Sequence, residues 1–132
     1  MDFKSYIRDI PDFPEKGVVF KDITPLLKDA KALQAVTNAL MDLVEDQRID
    51  KVVGMESRGF FYAPILASRL NAGFVPVRKD DVLATGGTAA AVCELVERLG
   101  GQVVQCVFLL QLDALNGTEK LHGYKVTSLL HY

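Results

Sequence analysis

At 132 residues with a formal charge of −2, the chain has the size of one domain, long enough to bury a real core. It has no basic run to grip nucleic acid or an anionic membrane, and no apolar run long enough to span a bilayer. The start Met1-Asp2-Phe3-Lys4-Ser5-Tyr6 lacks a signal-peptide core, and Cys93 and Cys106 read as reduced core thiols rather than a bridge or a metal pair, so the expected compartment is the cytoplasm.

Phe3, Tyr6, Ile7 and Ile10 fall on one helical face, which predicts a short helix stopped by Pro11. A turn-rich connector follows, then the apolar step Val18-Val19-Phe20 and Lys21-Asp22-Ile23. Thr24 is placed to cap a turn with Pro25 at its first position. A second helix is predicted after Asp29, burying Leu33, Val36, Leu40, Leu43 and Val44. On composition alone Phe20 is as readily a core aromatic as a binding one.

Lys51-Val52-Val53-Gly54-Met55 reads as a buried parallel strand because a helical pattern follows it. Between them sits the charged turn Glu56-Ser57-Arg58-Gly59, at the strand end where open α/β sheets bind ligands. Arg58 offers a planar fork to phosphate oxygens, though a surface arginine or a partner for Glu56 reads equally well. The helix after it carries Phe60, Phe61, Ile65, Leu66 and Leu70 and stops near Asn71-Ala72-Gly73. Phe74-Val75-Pro76-Val77 is a second strand whose Pro76 marks an edge or a bulge, with Arg78 and Lys79 behind it.

The stretch Asp80-Asp81-Val82-Leu83-Ala84-Thr85-Gly86-Gly87-Thr88 carries the densest chemistry. It precedes a helix signalled by Val92, Leu95, Val96 and Leu99 and stopped by Gly100-Gly101. The turn Ala84–Thr88 therefore lies at a helix N-terminus, which favours an anion; its glycines permit close approach and its threonines add donors. Asp80 and Asp81 would repel a phosphate but suit sugar hydroxyls or a hydrated divalent cation. Two readings stand: a capped helix after a solvated acidic turn, or a ribose 5-phosphate site. It is neither a Walker A loop nor a dinucleotide fingerprint.

Val103 to Leu112 reads as a buried strand, Asp113 to Leu121 as a loop or short helix, and Tyr124 to Leu130 as a last strand. His122 and His131 read as solvated. The alternation gives an α/β fold, a mostly parallel sheet flanked by helices with right-handed crossovers. Both charged turns follow strands and can reach one edge of that sheet.

The Asp80–Thr88 loop resembles the signature loop of the type I phosphoribosyltransferases. Phe13 to Leu27, with Phe20-Lys21-Asp22-Ile23-Thr24-Pro25 at its heart, is similar to the N-terminal segment of the adenine members. Val52 to Phe60 resembles their pyrophosphate loop, Phe74 to Lys79 the strand before their mobile loop, and Gly117–Leu121 with Ser128-Leu129-Leu130 their C-terminal part.

The resemblance implies purine salvage, with adenine and phosphoribosyl pyrophosphate giving AMP and pyrophosphate with Mg²⁺, in a homodimer with no nucleic acid or membrane partner. It implies that Val19 and Lys21 present backbone groups to the purine, and that Phe20 and Leu112 enclose it. Ser57, Arg58 and Arg78, supported by Lys79, would face pyrophosphate. Asp80 and Asp81 would hold the ribose, and Ala84, Thr85, Gly86, Gly87 and Thr88 the 5-phosphate. Asp80, Asp81 and Arg58 are the expected catalytic residues, and no protein side chain is assigned as a direct metal ligand.

The chain is expected to be one domain, with residues 1–28 as the adenine-side segment and 29–132 as an α/β core interrupted at 79/80. There the family has a hood of a few dozen residues and an apolar strand, whereas here Lys79 adjoins Asp80. An omitted internal segment, a natural short form and an engineered deletion each fit. The alternatives to the adenine enzyme are a nucleotide-binding module with little catalysis, or an enzyme for hypoxanthine or guanine.

Overall fold

The computed structural model describes residues 1–44, 46–78, 88–113 and 117–132. The chain divides into two compact units, Met1–Ala39 and Leu40–Tyr132.

The first unit opens with a 3-10 turn, Phe3–Tyr6, capped by the Asp2 carboxylate, which accepts from the Lys4 amide at 3.1 Å. The predicted helix goes no further. At Ile7 the backbone becomes extended, and Arg8–Ile10 forms strand β1, antiparallel to β2, Phe20–Asp22. The spacing of Ile7 and Ile10 fits a helical face, but β-branched residues favour extended backbone once a partner strand is available. The register pairs Arg8 with Asp22 and Asp9 with Lys21. Both pairs are ionic: Arg8 donates to Asp22 Oδ2 through Nε at 3.1 Å and Nη2 at 2.5 Å, and Lys21 Nζ lies 2.7 Å from Asp9 Oδ1.

Asp22 does a second job. Its other oxygen accepts from the Thr24 amide at 3.0 Å, tying β2 to the start of helix α1, Thr24–Lys28, where Ile23 rather than Thr24 is the N-cap residue. Helix α2, Ala30–Asp42, starts on the Asp29 carboxylate, which accepts from the Ala32 amide at 2.9 Å. Ile23, Leu26, Ala32 and Val36 form the core of this unit, and Leu33 is only half-buried.

Asp22 is nearly buried, and the Thr24 amide, then the Arg8 guanidinium, hold its carboxyl down at about 2 from an ordinary 3.8. Stability from this group is therefore complete above pH 3.8 and lost as pH falls through about 2. Thermal melts of the wild type and of Asp22→Asn from pH 6 down to 2 are expected to differ most at the top of that range and to converge at the bottom. A constant difference would remove the Asp22 charge from the account.

In the second unit β3, Lys51–Met55, runs parallel to β4, Gly73–Val77, with helix α3, Gly59–Arg69, as the crossover. Among the described residues β4 pairs only with β3, which suits the edge position Pro76 predicts. Helix α4, Thr88–Arg98, leads to β5, Cys106–Gln111, which pairs in parallel with β6, Val126–His131; a 3-10 turn, Gly117–Leu121, lies between them. The parallel α/β class is thus the one observed.

Three predicted faces differ. In α3 the buried residues are Tyr62, Ala63 and Ala67, while Phe60, Ile65, Leu66 and Leu70 are half-buried and Phe61 is exposed. In α4 the buried stripe is Val92 and Cys93, with Leu95 and Leu99 exposed. The helix after Asp29 ends at Asp42, so Leu43 and Val44 lie in the turn beyond it; Val44 is buried there and Leu43 half-buried. The stop after α4 matches its prediction: Gly100 at φ +89° donates to Glu97 O and Gly101 to Val96 O, a Schellman ending. The last two strands begin later than predicted, at Cys106 and Val126, and β5 is half-buried along its length.

Candidate functional site

The β3–α3 turn is built by close approach. A Cβ on Gly54 would lie 2.7 Å from Gly59 O and 2.8 Å from both Ala63 Cβ and Phe74 Cε1, so glycine lets the strand touch the helix start. Gly59 is confined less severely, its Cβ position 3.1 Å from the Gly54 carbonyl carbon. Phe74 packs edge-on against Phe60 with centroids 6.2 Å apart, fixing the neighbouring strand.

The turn residues follow from this frame. The Glu56 amide donates to Val77 O at 2.9 Å, continuing the ladder past the Met55–Val77 pair. The Glu56–Ser57 peptide is cis. Ser57 and Arg58 then accept from the Phe60 and Phe61 amides at 3.0 and 3.1 Å, opening α3. Ser57 is exposed and Arg58 half-buried. Arg78 leaves β4 beside Val77, so the parallel register brings Ser57, Arg58 and Arg78 to one carboxyl edge. Two guanidinium-bearing residues beside an eleven-residue helix's N-terminus make an edge suited to a polyanion.

Leu112 is half-buried just beyond β5, bracketed by Tyr132 N to Gln111 O and Asp113 N to Tyr132 O, both 2.9 Å. Thr88 begins α4. Lys79, Asp80, Asp81, Ala84, Thr85, Gly86 and Gly87 lie outside the described residues.

In the first unit Val19 is exposed immediately before β2, and Phe20 and Lys21 are its first two residues. The Phe20 ring is half-buried and meets Phe13 edge-on at 5.2 Å. The Lys21 ammonium is occupied by Asp9, which fits a role for its backbone.

Sequence reasoning passed over several groups. His131 is not simply solvated, since its Nδ1 lies 2.9 Å from Asp113 Oδ1. The Tyr62 hydroxyl is buried without a hydrogen-bond partner among the described residues, and burial pushes its phenol up to about 12. The Asp9–Lys21 and Arg8–Asp22 pairs had one available signal: opposite charges in two segments that could pair as strands.

No protein-family model matches the chain. The adenine phosphoribosyltransferase of Christiangramia forsetii is 46% identical over 170 aligned positions, covering 100% of this chain and 99% of the relative. The crystal structure of the enzyme from Thermoanaerobacter pseudethanolicus superposes with a TM-score of 0.91 at 41% identity, covering 99% of this chain and 98% of the other. That of Saccharomyces cerevisiae, complexed with an imino-altritol bisphosphate and adenine, gives 0.86 at 34% identity, with 98% and 96% covered. Alignments of 170 positions against 132 residues mean that the relatives carry positions with no counterpart here.

A parallel α/β core with a charged turn at the carboxyl edge of its strands, superposing this closely, defines a type I phosphoribosyltransferase. Within that class, the chain belongs to the adenine phosphoribosyltransferase family. It is a transferase of purine salvage, joining the phosphoribosyl group of phosphoribosyl pyrophosphate to adenine to give AMP and pyrophosphate.

Proposed function

We propose how this chain divides that reaction among its residues. The observation that carries the assignment is the β3–β4 register, which sets the Glu56–Arg58 turn and Arg78 on one edge. Ser57, Arg58 and Arg78, with Lys79, receive the pyrophosphate end of the donor. Val19 and Lys21 offer backbone groups to adenine, and Phe20 and Leu112 offer apolar surface. Asp80 and Asp81 hold the ribose hydroxyls, and Ala84 to Thr88 take the 5-phosphate.

Departure of pyrophosphate leaves positive charge on the ribosyl carbon, so the protein's work is placement and charge compensation rather than covalent chemistry. The arginines meet the negative charge gathering on the leaving group, and the acid pair meets the positive charge on the sugar. Mg²⁺ fits the carboxylate donors of that pair, which suit a hard hydrated ion; when bound it neutralises diphosphate charge. We place the enzyme in the cytoplasm as a homodimer, with the chain working as one catalytic domain; no helix among the described residues is long and apolar enough to cross a membrane.

The test is AMP formation from adenine and phosphoribosyl pyrophosphate with Mg²⁺, run against hypoxanthine and guanine. Adenine is expected to be consumed and the oxopurines left. Folded protein that binds AMP in a calorimeter without turnover would be a nucleotide-binding module instead.

A further inference from the structure

Two sulfurs that the transfer reaction does not use face each other. Cys93 is buried in the second turn of α4, and Cys106 is the half-buried first residue of β5. Their Sγ atoms are 3.5 Å apart. Neither backbone is loose: Cys93 is inside a helix, and the Cys106 amide donates to Lys125 O at 2.8 Å. The Schellman turn at Gly100-Gly101 folds the connection back so that helix and strand bring the pair together. A disulfide requires the sulfurs to close by about 1.5 Å from that separation, within reach of side-chain rotation and a small shift of the helix.

We propose that Cys93 and Cys106 are an oxidative modification site, converted by hydrogen peroxide into an intrachain disulfide that ties α4 to β5.

The two thiols have different parts. Burial, then the adjoining Cys106 thiol and the charge of Glu97, push the Cys93 thiol up to about 12, so it stays protonated near neutral pH. Tyr124 Oη donates to Glu97 at 2.5 Å, so Glu97 acts here as a hydrogen-bonded carboxylate. Cys106, the more exposed of the two residues, is the one that reacts first. Its thiolate attacks a peroxide oxygen; the O–O bond breaks, leaving a sulfenic acid on Cys106 and hydroxide that takes up a proton. The Cys93 sulfur then attacks the Cys106 sulfur. The S–S bond forms as the S–O bond breaks, and the Cys93 proton leaves with the hydroxyl as water. Both thiols are oxidised and one peroxide becomes two waters. In a reducing compartment such a bridge is a transient redox mark rather than a structural staple.

The experiment treats the full reduced chain with hydrogen peroxide, blocks remaining thiols with N-ethylmaleimide, and digests with trypsin without reductant. Arg98 lies between the cysteines, so cleavage there puts them on separate peptides. The expected product is the two peptides joined, lighter than their sum by H₂ and separated by dithiothreitol. In Cys93→Ser the bridge is lost and Cys106 should accumulate sulfenic acid that dimedone traps, whereas in wild type the trap competes with closure. Complete alkylation of both cysteines after peroxide would overturn the proposal. So would bridges found only between chains, or dimedone labelling of Cys106 as strong in wild type as in Cys93→Ser. The wild-type map needs no variant to fold, and it does not depend on the site assignments above.

Discussion

Replacing Asp80 and Asp81 together by asparagine is expected to lower kcat/KM for AMP formation about a thousandfold. Each charged acceptor on a ribose hydroxyl is worth about 2 kcal/mol. Together they approach about 4 kcal/mol, which is roughly three powers of ten in rate. Asparagine keeps the size and an acceptor oxygen but loses the negative charge proposed to compensate the ribosyl cation, so the loss should fall on kcat as well as KM. Circular dichroism and thermal melts should match wild type, because two adjacent carboxylates repel each other and contribute little to folding. Steady-state rates at saturating Mg²⁺ make the measurement. A variant that keeps wild-type kcat/KM would move the sugar site elsewhere in the chain.

Gly54→Ala is expected to have the largest effect on stability. The new methyl would meet a carbonyl oxygen, a helical alanine and an aromatic ring, all at 2.7–2.8 Å. A flexible side chain could swing away from such a contact, but Gly59 O is backbone, Ala63 has nowhere to rotate, and Phe74 is held by Phe60. The strand and helix must separate, at a cost of about 3 kcal/mol. For a chain of this size that lowers the midpoint by about 10 °C in calorimetry. The same separation moves the Ser57–Arg58 turn relative to Arg78, so the KM for phosphoribosyl pyrophosphate should rise in whatever fraction stays folded. A melt within a degree or two of wild type would mean that the strand–helix contact is looser than the geometry shows.

That contact also marks where sequence reading ran out. Strand β3 and the turn after it were legible, because a short apolar run followed by Glu-Ser-Arg-Gly and then a helical pattern reads as a parallel strand feeding its crossover helix. The face of α3 was not. Counting large apolar residues selected Phe60, Phe61, Ile65 and Leu66, whereas the helix turns Ala63 toward Gly54 and buries Tyr62 and Ala67. Hydrophobicity ranks side chains by transfer from water, but a helix lying against a strand at Cα distance has room only for small ones. Gly54, Gly59, Ala63 and Ala67 carried the signal, in smallness rather than in oiliness.

The start of the chain failed for a different reason. Ile7 and Ile10 satisfy a helical period, yet Arg8–Ile10 is a strand because β2 lies ten residues further on, and pairing is a non-local event that no window reports. The ion-pair partners of Lys21 and Asp22 likewise depend on a register that only the folded chain defines.

That register has a consequence of its own. Sliding β1 by one residue in one direction would set Arg8 against Lys21, and in the other Asp9 against Asp22. Either mistake faces like charge with like and inverts which side chains turn inward. The four charges thus work as a key cut to a single alignment, rejecting both neighbouring misfits by repulsion. The discrimination should fade in strong salt, where refolding of this corner loses its proofreading.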